Sequence, residues 1–171
     1  LGNSSQVIEF PDWENLPYDH FSPHQDIISK RLKTLYSLPE KSSGVTVVPV
    51  MTMMHRLPPK DFVQGRSFSY KVGQKINLER LRKKLQYSGY RTTETVIERG
   101  EYSIRGSKID IYPMGALLPF RIDLFDDEIE SLRTFDPDSQ LTKEKVDSIS
   151  LLPAKEIPLD NDSITRFKKK W

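Results

Sequence analysis

Polar and apolar residues alternate most regularly between Gly100 and Phe125. In GEYSIRGSKIDIYPMG a two-residue turn at Gly106-Ser107 is predicted, because a leading glycine suits a type II′ hairpin. That turn pairs Arg105 with Lys108, Ile104 with Ile109, Ser103 with Asp110 and Tyr102 with Ile111. Tyr102, Ile104, Ile109 and Ile111 then face a core, leaving Ser103, Arg105, Lys108 and Asp110 on a solvated face. The next strand, Phe120 to Phe125, divides the same way, with Phe120, Ile122 and Leu124 inward and Arg121, Asp123 and Phe125 outward. Phe125 breaks an otherwise polar face. Beside arginines it has the composition of an interface hot spot; the other reading is that it caps the edge of the core above the Asp126-Asp127 turn.

Helical spacing marks two further segments. Ser22, Pro23 and Gln25 read as cap, first helical position and capping-box partner of a helix whose stripe is Ile28, Leu32 and Leu35, stopped near Leu38-Pro39. Asn77 caps a second helix, with Leu78, Leu81 and Leu85 inward, Arg80, Arg82, Lys83 and Lys84 mostly outward, and Gly89 at its end. Val7 to Phe10 and the β-branched run Val45 to Val50 are strands, the latter expected to be buried on both faces and to end at Pro49. Strand, helix and strand make a βαβ-like unit, so the fold class is α/β with a parallel layer.

Downstream the pattern changes to α+β with an antiparallel sheet. Strands are predicted at Ser67 to Lys71, Thr95 to Arg99, Glu101 to Arg105, Lys108 to Tyr112 and Phe120 to Phe125, with a ragged one at Ile129 to Phe135. A buried strand at Ser148 to Leu152 and a helix from near Asp162, with Ile164, Phe167 and Trp171 on one face, complete the pattern. The layer is entered without an opening strand and glycine-rich loop, and the last apolar stripe is cut short. The chain is therefore expected to be a piece of a longer protein.

Charge alters this picture more than composition does. The 171 residues carry a net charge of only +2, yet the charges are segregated. Residues 78–91 hold Arg80, Arg82, Lys83, Lys84 and Arg91 against Glu79, whereas residues 121–140 hold seven carboxylates against Arg121 and Arg133. Such blocks form solvated faces or docking surfaces, and the mixed character suits a protein partner better than a phosphate backbone. Without cysteine there is no disulfide framework, thiolate nucleophile or zinc-thiolate site. No apolar run has the length of a membrane helix, and the first residues lack the pattern of a signal peptide.

Catalytic patterns are missing. His20, His24 and His55 have no ligand spacing, and Asp126, Asp127 and Glu128 lack the spacing of a calcium loop. No Walker A sequence, GxGxxG, HExxH or nucleophile elbow occurs. No catalytic residue, metal site or cofactor is expected in this chain. Arg80, Arg82, Lys83 and Lys84 are the candidates for nucleic-acid contact.

The blocks FPDWENLPYDHFSPHQDIISKRLKTLYSL, VTVVPVMTMMHRLPP, SGYRTTETVIERGEYSIRGSKIDIYPMG, PFRIDLFDDEIESLRTFDPDSQ and ISLLPA, in that order, closely resemble the N-terminal, UvrB-like region of the bacterial transcription-repair coupling factors (Mfd). The resemblance implies a partial RecA-like layer over residues 1–63, an inserted α+β domain that holds the repair ATPase UvrA over residues 64–146, and a return segment over residues 147–171. In that family two arginines and an aromatic form the partner-binding face; they match Arg105 in SIRG, Arg121 in PFRID and Phe125 in DLFDDE, with Asp123 a neighbour in the patch. The implied function is a non-catalytic adaptor, cytoplasmic, that recruits UvrA to RNA polymerase stalled at DNA damage. ATP, magnesium and double-stranded DNA belong to motor domains elsewhere in the parent. The alternative is a DNA-binding fragment of a UvrB-like damage-recognition helicase. The long aromatic hairpin of UvrB-like chains has no room here, since YDHFSPHQD passes directly into a helix.

Overall fold

The structure is a computed structural model that describes residues 7–16, 19–157 and 161–170. Strand β1 (Val7–Glu9), helix α1 (Gln25–Ser37) and strand β2 (Val45–Val47) form the expected crossover unit, with Val7 opposite Val45 and Glu9 opposite Val47 in parallel. Helix α1 begins later than the sequence predicts. Its N-cap is His24, not Ser22: the residue is extended, and its Nδ1 accepts a hydrogen bond from the Asp26 N–H at 3.3 Å. Leu32 is completely buried, and Pro39 sits in the 3-10 turn Leu38–Glu40 that ends the helix.

The burial expected of β2 does not occur. Val45 and Val47 are 53% and 54% exposed. Their β-branched side chains favour the extended backbone, but among the described residues β1 is the strand's sole sheet partner and no second layer closes over it. Two short helices follow, α2 (Val50–Met53) and α3 (Lys60–Gly65), each starting directly after a proline at the cap position.

Strand β3 (Phe68–Lys71) leads into α4 (Leu78–Tyr87), where the local signals hold. The Asn77 side chain accepts from the Arg80 N–H at 2.9 Å, Leu81 and Leu85 are buried, and Gly89 turns the chain at φ +89°, a conformation that favours glycine. Six strands then form one sheet in chain order: β4 (Arg91–Thr92), β5 (Glu101–Arg105), β6 (Lys108–Ile111), β7 (Phe120–Phe125), β8 (Glu128–Phe135) and β9 (Thr142–Lys145). Every neighbouring pair is antiparallel except β4 with β5. Strand β10 (Ser148–Leu151) leaves this sheet to pair with β3, and α5 (Asn161–Lys170) closes the described chain.

Core formation follows from the alternation. Tyr102, Ile109, Ile111, Ile122, Ile129 and Leu132 line the inner face of the large sheet and join Leu81 and Leu85 of α4, Ile149 and Leu151 of β10, and Leu32 of α1 in one apolar cluster. Each such aliphatic side chain contributes about 1.5–3 kcal/mol when removed from water.

Three expectations are corrected. Residues 95–99 are not a strand but part of a loop, held down because the Glu101 carboxylate accepts from the Ile97 and Glu98 N–H groups at 3.0 and 2.9 Å. Strand β10 alternates, with Ser148 and Ser150 exposed, because a two-stranded ribbon offers one buried face. Ile164 on α5 is 37% exposed, while the side chain of Phe167 and all of Trp171 lie outside the described residues.

Candidate partner-binding site

The hairpin register is the predicted one, from Tyr102 opposite Ile111 to Arg105 opposite Lys108. Gly106 takes φ +60°, as the first position of a II′ turn requires. Strand β7 continues the register, placing Arg121 opposite Asp110 and Asp123 opposite Lys108. Arg105, Arg121, Asp123 and Phe125 therefore project from the same outer face, away from α4.

That face is graded from covered to open. At one end the loop over residues 93–99 folds onto the sheet, where Val96 packs with Tyr112 and Phe135. Next to it, Ser103 and Asp110 are buried, which corrects the expectation that both are solvated. Ser103 Oγ donates to the Glu94 carbonyl at 3.2 Å, so the loop covers Ser103. At the other end Phe125 is 75% exposed, beside a two-residue turn in which Asp126 adopts φ +56°. Aspartate tolerates this left-handed conformation better than most residues.

Asp110 is the hub of the site. Its side chain is 1% exposed, and both arginines reach it: Arg121 Nε to Oδ1 at 2.7 Å, Arg121 Nη2 to Oδ2 at 3.0 Å, and Arg105 Nη2 to Oδ2 at 3.0 Å. The two guanidiniums converge. They differ in availability, since the Arg121 side chain is 13% exposed and that of Arg105 57%. Arg121 also donates from Nη1 to the Gln140 carbonyl at 3.2 Å and lies 4.7 Å from the Phe135 ring centroid. Its pKa is raised, first through the hydrogen bonds to Asp110. Arg105 contacts Asp110 through Nη2, and its side chain is more than half exposed. A buried carboxylate thus orients an open, planar donor fork on the same face as an exposed ring.

Asp123 accepts from Ser131 Oγ at 3.1 Å and flanks this patch. Sequence reasoning named the arginines but gave Asp110 no role of its own. The signal was present in the register, which sets Asp110 directly across from Arg121 and one diagonal from Arg105.

The basic candidates lie elsewhere. Arg80, Lys83 and Lys84 are exposed and Arg82 half-buried on α4, which packs against the inner face. Lys84 Nζ sits 4.0 Å over the Phe68 ring, and Asp127, paired with Lys75 at 3.0 Å, shares a groove with Arg80 and Lys84. The structure does not unite this cluster with the outer face. Among the described residues no group of three or more His, Cys, Asp or Glu is placed to hold a metal ion, and no helix is long and apolar enough to cross a membrane. His24 serves as a cap, and His55 stacks on Trp13 at 4.6 Å.

Comparison with known proteins assigns the sheet that carries this face to a family. Residues 68–157, from β3 through the whole six-stranded sheet, match the UvrB interaction domain. The chain belongs to the UvrB interaction domain family. The transcription-repair-coupling factor of Escherichia coli (strain K12) is 52% identical over 165 residues, covering 96% of this chain. That of Haemophilus influenzae is 46% identical over 169 residues, covering 99%, and that of Staphylococcus aureus (strain USA300) 28% identical over 167 residues, covering 98%. The chain spans only 14% of the first and 15% of the second of these relatives. All the outer-face residues described above fall within the matched interaction domain.

Proposed function

We propose that this UvrB interaction domain is a non-catalytic adaptor through which a transcription-repair coupling factor recruits UvrA to RNA polymerase stalled at damaged DNA. It acts in the cytoplasm, and the ATP- and magnesium-dependent motor that moves on double-stranded DNA lies in other parts of the parent protein. The division into residues 1–63, 64–146 and 147–171 belongs to the same proposal, with the middle segment as the UvrA-binding part. The observation that carries the reading is the convergence of Arg105 and Arg121 on buried Asp110, on the same sheet face as a 75% exposed Phe125. Rings and guanidiniums held in this way are what reversible protein interfaces use as anchors. Asp123 completes the patch.

The test is titration of UvrA against this chain. Phe125→Ala is expected to lose about 1–4 kcal/mol of binding free energy with an unchanged melting temperature, because its ring is largely in water. Arg105→Ala is expected to weaken binding in the same assay. Undiminished affinity in both variants overturns the site. The rival reading, DNA binding through Arg80, Arg82, Lys83 and Lys84, requires tight duplex binding that falls steeply with salt.

A further inference from the structure

Following the cross-strand register beyond Arg121 exposes a feature that the arginine pair does not explain. On the outer face Asp110 lies opposite Arg121, Arg121 opposite Arg133, and Arg133 opposite Lys145. Three cations thus stand side by side across β7, β8 and β9. Like charges directly opposite one another destabilise a strand pair unless an anion lies between them. Asp110 serves Arg121 and Arg105 from the β6 side, and the row has no carboxylate on the β8 or β9 side. Arg133 makes no ion pair among the described residues, and its Nε is buried without a hydrogen-bond partner. A half-buried guanidinium flanked by cations and without an ion pair is held at an electrostatic cost, which an approaching anion relieves.

We infer that Arg133, with Lys145 beside it, is a further partner-binding position, extending the docking face across β8 and β9 to take a carboxylate of the partner. This rests on the adaptor reading above and adds the chemistry of the partner's surface: an acidic side chain positioned next to the site that receives Arg105. A protein carboxylate fits better than a phosphate backbone. Asp123, Asp126 and Glu128 border the same face towards its open end and repel a polyanion, and the exposed Phe125 ring is suited to an apolar socket.

The test is a charge swap with two readouts. In Arg133→Glu the new carboxylate lies between Arg121 and Lys145, so the melting temperature is expected to hold or rise, whereas a purely structural role for Arg133 requires it to fall. UvrA affinity is expected to drop roughly tenfold or more, and the association rate to lose part of its salt dependence. Arg133→Ala is expected to weaken binding less, with fold retained. Phe125→Ala serves as the separate control. If neither wild type nor Phe125→Ala distinguishes itself in UvrA binding, the adaptor reading has failed. If Phe125→Ala weakens binding while Arg133→Glu binds as wild type, only the extension is overturned. Loss of duplex DNA binding in Arg133→Glu with UvrA capture unchanged also overturns it.

Discussion

Two arginine–carboxylate clusters in this chain are built from the same chemistry to opposite ends. Arg31 on α1 is fully buried and gives Nε and Nη2 to Glu156 at 2.8 and 2.7 Å, and Nη1 to the Pro11 carbonyl at 2.6 Å. Its guanidinium lies 4.2 Å from the Phe10 ring centroid and 4.9 Å from that of Trp13, whose indole N–H also donates to Glu156. Both charges of that cluster are buried and paired with each other. In the outer-face cluster Asp110 is sealed and Arg121 largely covered, while Arg105 opens towards water. Burying both charges makes a staple; leaving one arginine open over a buried carboxylate makes a handle.

The largest expected effect comes from breaking the staple. Arg31→Ala leaves Glu156 charged and buried without its partner, at a cost on the order of 3–5 kcal/mol in urea unfolding. The double variant Arg31→Met with Glu156→Leu is expected to recover most of that loss, because hydrophobic replacement of a buried pair is commonly near neutral. If the single and double variants are equally unstable, the staple description is wrong. The handle should respond differently. Asp110→Asn keeps the shape and one acceptor but removes the charge, so it is expected to cost about 1–3 kcal/mol of stability and to weaken UvrA binding by freeing Arg105. Stability lost with affinity intact would show that Asp110 merely packs.

The smallest effect concerns an exposed pair that belongs to neither cluster. Asp136 is held well below its ordinary pKa of 3.8, first by the Lys143 ammonium and then by the Ser139 N–H. A depressed carboxylate stabilises the fold above its unfolded pKa and loses that contribution as pH falls through its folded one. Melting curves of wild type and Asp136→Asn should therefore differ by a small constant amount above about pH 4 and converge in stronger acid.

How far these clusters were legible in the sequence depended on the range of the interactions. The hairpin register, the Asn77 cap and the side of β7 from which Arg121 and Phe125 project follow from alternation and turn chemistry within a few residues. Asp110 is buried where Arg105 and Arg121 close on it from the neighbouring strands, and no pattern within its own strand announces that. Strands β4 and β9 escaped notice because Arg91-Thr92 and Thr142 to Lys145 have no apolar alternation; both are edges, defined by pairing alone. The valines of β2 misled in the other direction, since their shape specifies a strand but not what covers it.

The loop over residues 93–99 also gives the sheet a sense of direction. One end is roofed where Val96 packs on Tyr112 and Phe135, and the other is bare at Phe125, so the free area of the outer face lies towards the turn that follows Phe125. Under the adaptor proposal, that asymmetry gives a bound partner a preferred orientation, like a key with one notched edge.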